Sequence, residues 1–327
     1  MKVIDMHCDT LMHVMLRQGT QTDMLHLPDA MVDISRMCQG DVLAQFFAIF
    51  VIPQDAYRGG FQMEPLPDGE YIRRCEELFH YNMELHSDII GMAVDVADIR
   101  ANAAQGKMSA LLSIEDSGFV KGSLSRIRQC YEEGVRVMGL TWNFKNCFGS
   151  PNSTEAGVMR EGLTTFGKEA VEYMNDIGMG IDVSHLSDGG FYDVAEISKK
   201  PFFATHSNSR EVCRHPRNLS DEMIRILAEK GGVMGLNFCP EFLREENVNH
   251  KSRIEDMVRM VRHAYRVGGV QVVGIGSDLD GIRGDMEIKD CSMFDRLYDA
   301  LLMDGFSEDQ IDQFTYKNTF RVLEDIK

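Results

Sequence analysis

The chain of 327 residues contains no apolar segment near the roughly 20 residues that a membrane span requires. Its longest uncharged stretch begins at Val42, just after Asp41, and ends before Asp55. Positive charge is scarce as well: 34 Lys and Arg against 51 Asp and Glu leave a formal charge of −17. A chain this acidic repels phosphate backbones and anionic lipid, so nucleic acid and membranes are not expected partners. The N-terminus reaches Asp5 before an apolar signal region could form, which predicts a cytoplasmic protein. Cysteine is sparse and scattered: of the 8 residues none is paired as Cys-x-x-Cys. That excludes a disulfide framework and a thiolate zinc cluster. The 22 methionines read as flexible core filling. No internal repeat, low-complexity tract or Ser/Gly linker divides the sequence, so residues 1–327 read as a single domain.

What recurs is a short apolar, β-branched run, a turn, and then a stretch with helical spacing. The runs are Val3–Met6, Val42–Ile52, Met108–Ile114, Val135–Leu140, Met179–Val183, Pro201–Thr205, Gly232–Phe238 and Gln271–Ile275, with Ile89–Val94 as an accessory strand. Near-continuous apolar runs suit strands buried on both faces, as in parallel sheets. Helices are predicted over Thr165–Ile177, closed by Gly178, over Ser220–Lys230, and over Arg253–Val267. Eight such units predict an α/β fold of the (β/α)₈ TIM-barrel type. A doubly wound open sheet is the alternative, but no Gly-x-Gly-x-x-Gly follows the first strand.

The polar residues that end these runs carry the chemistry. The first run ends in His7-Cys8-Asp9, the third in Glu115-Asp116, the fifth in His185, the sixth in His206 and the eighth in Asp278-Leu279-Asp280. Barrel enzymes place catalytic groups where the C-terminal ends of their strands converge. Residues i and i+2 of a strand share a face, so His7 and Asp9 turn inward together while Cys8 turns away. Singly, each residue has a plainer reading: a lone His is more often a hydrogen-bonded loop residue, and Glu115 or Asp278 would serve as a helix cap. Together, three histidines and three carboxylates at one mouth form a cluster too charged to bury without metal. Imidazole plus carboxylate suits zinc, and two ions fit the ligand count better than one. His7 and Asp9 would hold the first, His185 and His206 the second, with Glu115 between them. Two such ions sharing a water perform hydrolysis.

The sequence resembles the membrane dipeptidase (renal dipeptidase) family, a branch of the metal-dependent amidohydrolase-like barrels. The resemblance spans nearly the whole chain. It rests on Ile-Asp-Met-His7-Cys-Asp9, Ser-Ile-Glu115, Gly139-Leu-Thr-Trp-Asn, Asp-Val-Ser-His185-Leu-Ser-Asp and Ala-Thr-His206-Ser-Asn-Ser, in this order. It continues through His-Pro-Arg217-Asn218-Leu-Ser-Asp, Gly-Ile-Gly-Ser-Asp278-Leu-Asp-Gly and the Lys317-Asn-Thr-Phe-Arg-Val-Leu tail. It implies a binuclear zinc barrel that cleaves dipeptides, often with a D-residue at the C-terminal position. Its ligands would be His7 and Asp9 for one zinc, His185 and His206 for the other, and Glu115 as the bridge. Asp278 would be the acid/base, and Arg217 would bind substrate. Trp142 stands where the vertebrate members carry a substrate-binding His, and Leu-Thr-Trp-Asn matches the bacterial pattern; Trp142 is the expected substrate contact there. The vertebrate lipid-anchor signal has no counterpart here, and a homodimer is an admissible assembly.

Two competing functions remain at this level. One is a related amidohydrolase acting on a lactam, lactone or N-acyl amino acid. Many members of that wider group carry His-x-His after the first strand, so His7-x-Asp9 favours the dipeptidase branch. The other is a barrel that only binds peptide or metal, which the complete set of chemical residues disfavours.

Overall fold

The computed structural model describes residues 2–17, 19–53, 56, 65–245 and 249–327. Among them are eleven strands, nine of which fall on the apolar runs: β1 (Val3–Cys8), β2 (Val42–Phe50), β3 (Ile90–Met92), β4 (Met108–Glu115), β5 (Val135–Gly139), β6 (Gly180–Asp182), β7 (Phe203–Ala204), β8 (Val233–Leu236), β9 (Lys251–Ser252), β10 (Val273–Ile275) and β11 (Asp285–Met286). The main sheet runs β2-β1-β10-β8-β7-β6-β5-β4, and a parallel β2–β4 ladder from Ala44↔Ser109 to Phe50↔Glu115 closes it into a barrel. The accessory strand β3 pairs with the start of β4, at Met108–Ala110, while β5 takes Leu112–Ile114. β9 and β11 form a separate two-stranded ladder.

The expected helices form with the expected stops. Thr165–Ile177 starts where Thr164 Oγ1 accepts from Gly167 N and ends at Gly178, whose φ of 75° is left-handed. Such a conformation favours glycine. Asp221–Glu229 is capped by Ser220, and Ile254–Gly268 follows Arg253.

Two apolar layers hold the barrel. The larger packs the helices on the outer face of the sheet and includes Val3, Cys8, Ala110, Leu112 and Ile114. The smaller joins Ile4, Met6, Ala44, Phe46, Leu111, Val137, Phe203 and Val233 with Val322, Leu323 and Ile326. Side chains from strands on opposite sides of a closed sheet meet only inside it, so this second cluster fills the barrel. Arg321, on the C-terminal helix Asn318–Asp325, donates to the carbonyls of Gly231 and Gln271, just ahead of β8 and β10. That helix therefore seals the N-terminal end, and the opposite end is left for the site. No helix among the described residues is long and apolar enough to cross a membrane.

Candidate functional site

The register of β1 shifts between Asp5 and Cys8. A bulge of this kind changes which side chains face inward. Ile4 and Met6 belong to the inner cluster, yet Cys8 belongs to the outer one, where its thiol donates to Phe46 O. The shift turns His7 and Asp9 toward the axis, as expected from their spacing, although strict alternation from Ile4 would have buried Cys8 there instead. β4 needs no such device. Leu111 faces the interior, and Glu115 follows it at an even spacing.

The C-terminal mouth gathers six of the predicted residues. Glu115 Oε2 lies 3.5 Å from His7 Nε2, while its Oε1 lies 2.8 Å from His185 Nε2 and 3.5 Å from His206 Nε2. Asp9 Oδ2 is 3.6 Å from His7 Nε2, and Asp278 Oδ1 is 4.0 Å from it. The rings of His7 and His206 stack with centroids 3.8 Å apart. His7–Glu115–His206 and His7–Asp9–Asp278 each bring three donor groups close enough to hold one ion.

Several observations fit this cluster to metal. His7 Nε2 and Asp9 Oδ1 are buried without a hydrogen-bond partner among the described residues, a costly state for polar atoms that have nothing to bind. The Nε2 atoms of His185 and His206 stand 3.0 Å apart. His185 Nδ1 faces the Asn143 amide oxygen at 3.1 Å, an acceptor, so Nδ1 carries the proton and Nε2 presents a lone pair. Thr205 Oγ1 donates to Asp182 Oδ2 (2.7 Å), which leaves it free to accept from His206 Nδ1 (2.8 Å). The His206 lone pair is thereby also on Nε2. Two nitrogen lone pairs and a carboxylate oxygen then converge on one point, where only a cation or a proton relieves their repulsion. Partners of this kind behind metal-binding histidines fix both tautomer and ring orientation.

The electrostatics of the cluster follow its burial. Desolvation, reinforced by the Asp9 charge, raises Glu115 to about 7. Desolvation likewise raises Asp278 to about 6. Burial opposes a charge on His7, but Glu115 and Asp9 outweigh it and hold its pKa well above the ordinary value. Burial drives His185 and His206 well below theirs, helped by the positive charge of Arg217 and His7.

The model of the family described as membrane dipeptidase (peptidase family M19) matches residues 1–327. The chain belongs to this family. An uncharacterised dipeptidase of Schizosaccharomyces pombe is 30% identical over 98% of this chain and 79% of its own length. The dipeptidase aclJ of Aspergillus oryzae is 30% identical over 96% of this chain and 74% of its own. A solved metallopeptidase from Rhodobacter sphaeroides, liganded with a phosphinate mimic of L-Ala-D-Ala, superposes with a TM-score of 0.88 at 26% identity, covering 100% of this chain and 99% of that one. A solved dipeptidase of the M19 family gives a TM-score of 0.89 at 27% identity over 99% and 98% of the two chains. The protein is an M19 metallo-dipeptidase built on the family's (β/α)₈ barrel.

Within the M19 barrel the remaining predicted residues also reach the mouth. Arg217 is only 3% exposed, so it is not a surface arginine paired with Glu211 or Asp221. Its Nη1 donates to Ser184 O and to Ser207 Oγ, while Nε and Nη2 are buried with no partner among the described residues. Trp142 is half-buried, 4.8 Å from the Phe50 ring and 6.3 Å from that of His185. Asp280 stands apart from this chemistry. Its carboxylate accepts from Thr10 Oγ1, Met31 N and Val32 N, so it ties loops together.

Several supporting residues carried no assignment from the sequence. Asp182 accepts from Ser184 and Thr205, Asp5 accepts from Ser277, and Asn143 steers His185. Asp182 and Thr205 sit inside the Asp-Val-Ser-His and Ala-Thr-His motifs, which is the one signal that would have marked them. Gly281 is a further case: a Cβ there would meet Asp9 Oδ2 at 2.0 Å and Asp278 Oδ1 at 2.8 Å. Only glycine leaves both carboxylates in place.

Proposed function

We propose that the protein is a binuclear zinc dipeptidase of the cytoplasm, acting as one barrel domain over residues 1–327 on dipeptides that include those with a C-terminal D-residue. The observation that carries this reading is the division of Glu115: one carboxylate oxygen faces His7, and the other faces His185 and His206. A bridging carboxylate between two ions has that disposition. His7 and Asp9 would hold one zinc, and His185 and His206 the other. Zinc bound there supplies Lewis acidity and acidifies water. The eight cysteines are free thiols, in keeping with a reducing compartment. Tolerance of a D-residue is supported by the L-Ala-D-Ala mimic bound in the Rhodobacter sphaeroides metallopeptidase.

The chain's own groups divide the rest of the work. Asp278, with its side chain 13% exposed at the edge of the cluster, takes the proton of the attacking water and returns it to the leaving amine. A pKa raised to about 6 suits a group that must both accept and donate near neutrality. The Nε and Nη2 of Arg217 face no acceptor among the described residues. They match the two oxygens of a dipeptide's terminal carboxylate, which a planar guanidinium grips in parallel bonds. Trp142 walls the mouth beside His185 and limits water there.

Hydrolysis of L-Ala-L-Ala, L-Ala-D-Ala and their C-terminal amides, together with elemental analysis, tests this reading. Leaving a buried guanidinium unpaired costs about 2 kcal/mol or more. Amidation should therefore lower kcat/KM by roughly 30-fold or more. Equal cleavage of acid and amide would remove Arg217 from substrate binding, and a protein purified without chelator that held no zinc would remove the metal assignment.

A further inference from the structure

We propose that Asn237 is a positioning residue for Asp278, fixing which of its two oxygens handles the proton; this rests on the reading of Asp278 as the acid/base. Asn237 is fully buried and follows the last residue of β8, between the strand that leads to His206 and the strand that leads to Asp278. Its Nδ2 donates to Asp278 Oδ2 at 2.8 Å and lies 3.3 Å from His206 O. Its Oδ1 accepts from Cys239 N at 2.7 Å. The amide cannot be turned over, because that would set its oxygen against a carboxylate and its NH₂ against a backbone N–H. The backbone of Asn237 is held as firmly: its N–H donates to Asn208 Oδ1, and its carbonyl accepts from Asn208 Nδ2.

Asp278 itself is anchored on the other side. Its N–H donates to His7 O, and its φ of 63° is a left-handed conformation that Asp tolerates better than most residues. With the backbone fixed there and Oδ2 fixed by Asn237, Oδ1 is left pointing toward His7. Oδ2 already receives an N–H, which leaves Oδ1, the oxygen facing His7, as the one free to exchange a proton. Without the amide, the carboxylate regains rotation, and small misplacements of a catalytic group cost up to about 10²-fold.

The test uses Asn237→Leu, which keeps the approximate size, adds no charge and removes the donor toward Asp278 together with the bonds to His206 O and Cys239 N. Asn237→Ser serves as a second variant should the first fail to fold. Each is made in the native enzyme and in Asp278→Asn, with kcat and KM on L-Ala-D-Ala and bound metal by elemental analysis. The expected result is a roughly 10- to 100-fold loss in kcat, with KM and metal content within about twofold. In the Asp278→Asn background the same change should cost less than about twofold, because no carboxylate remains to be positioned. A full additional loss in that background, or a loss traced to KM or metal, would overturn the proposal. Normal turnover by Asp278→Asn alone would instead overturn the acid/base reading on which it rests.

Discussion

The two halves of the proposed metal site hold their imidazoles in opposite electrostatic settings. His185 and His206 are steered by neutral groups, Asn143 and Thr205, with the Asp182 charge one hydrogen bond further back. Burial keeps both imidazoles neutral, with their Nε2 lone pairs turned to the centre. His7 instead sits among Asp9, Glu115 and Asp278, whose charges favour a proton on it despite its burial. On the proposed metal reading, one half would take a cation without losing an imidazole proton, while the other would first release one. Residue type names the ligands, but the neighbours decide how a cation competes with protons for them.

The change with the largest expected effect is the one that ends the distinction. Glu115→Gln should weaken metal in both halves together and lower dipeptide hydrolysis by about 10²-fold or more, given the several kcal/mol that metal centres contribute. Elemental analysis that showed one ion lost and the other kept would mean that Glu115 serves a single half.

Next come two substitutions aimed at one half each. Gly281→Ala would drive a methyl group into Asp9 Oδ2, so metal should be lost first from the His7 side. Thr205→Val keeps the shape but removes the acceptor for His206 Nδ1, and changes behind a ligating histidine typically cost about 10–100-fold in metal affinity. Chelator competition should show a different ion weakened in each variant. The same ion lost in both would dissolve the two-half picture.

The smallest expected effect is with pH. A group whose pKa is raised holds its proton to higher pH and so competes with metal there. His7, raised well above its ordinary value, and Glu115, raised to about 7, should make the His7 side release its ion first as pH falls from 8 toward 5. His185 and His206, lowered well below theirs, should retain theirs further into acid, limited by Glu115. Zinc binding in weak buffer should accordingly release more protons at pH 6 than at pH 8. Proton release that did not change between those values would count against the protonated His7 side.

Much of this was legible in the sequence because strand burial and strand ends are local properties. The apolar runs mark all eight barrel strands, and six of the polar residues that follow them meet at the mouth. The runs overestimate the short strands: Pro201–Thr205 contributes only Phe203–Ala204 to the ladder, and the residues after it are held by Asp182 and Ser184 side chains. Arg217 was the least legible of the predicted residues. Spacing alone allowed a surface ion pair, and only its burial against Ser184 and Ser207 frees two donors for a ligand.

The sequence by itself determined the barrel, the residue types of the candidate site and their order, because hydrophobic period and residue chemistry are written position by position. Tertiary structure alone decided which atoms face which: the β1 bulge that turns Cys8 out and His7 in, the split of Glu115 between two histidine groups, and the Asn237 contact with Asp278. Asn237 and Asp278 lie 41 residues apart in the chain, and His185 and Asn143 lie 42 apart. Such contacts depend on ring closure and strand register, which no local stretch of sequence specifies.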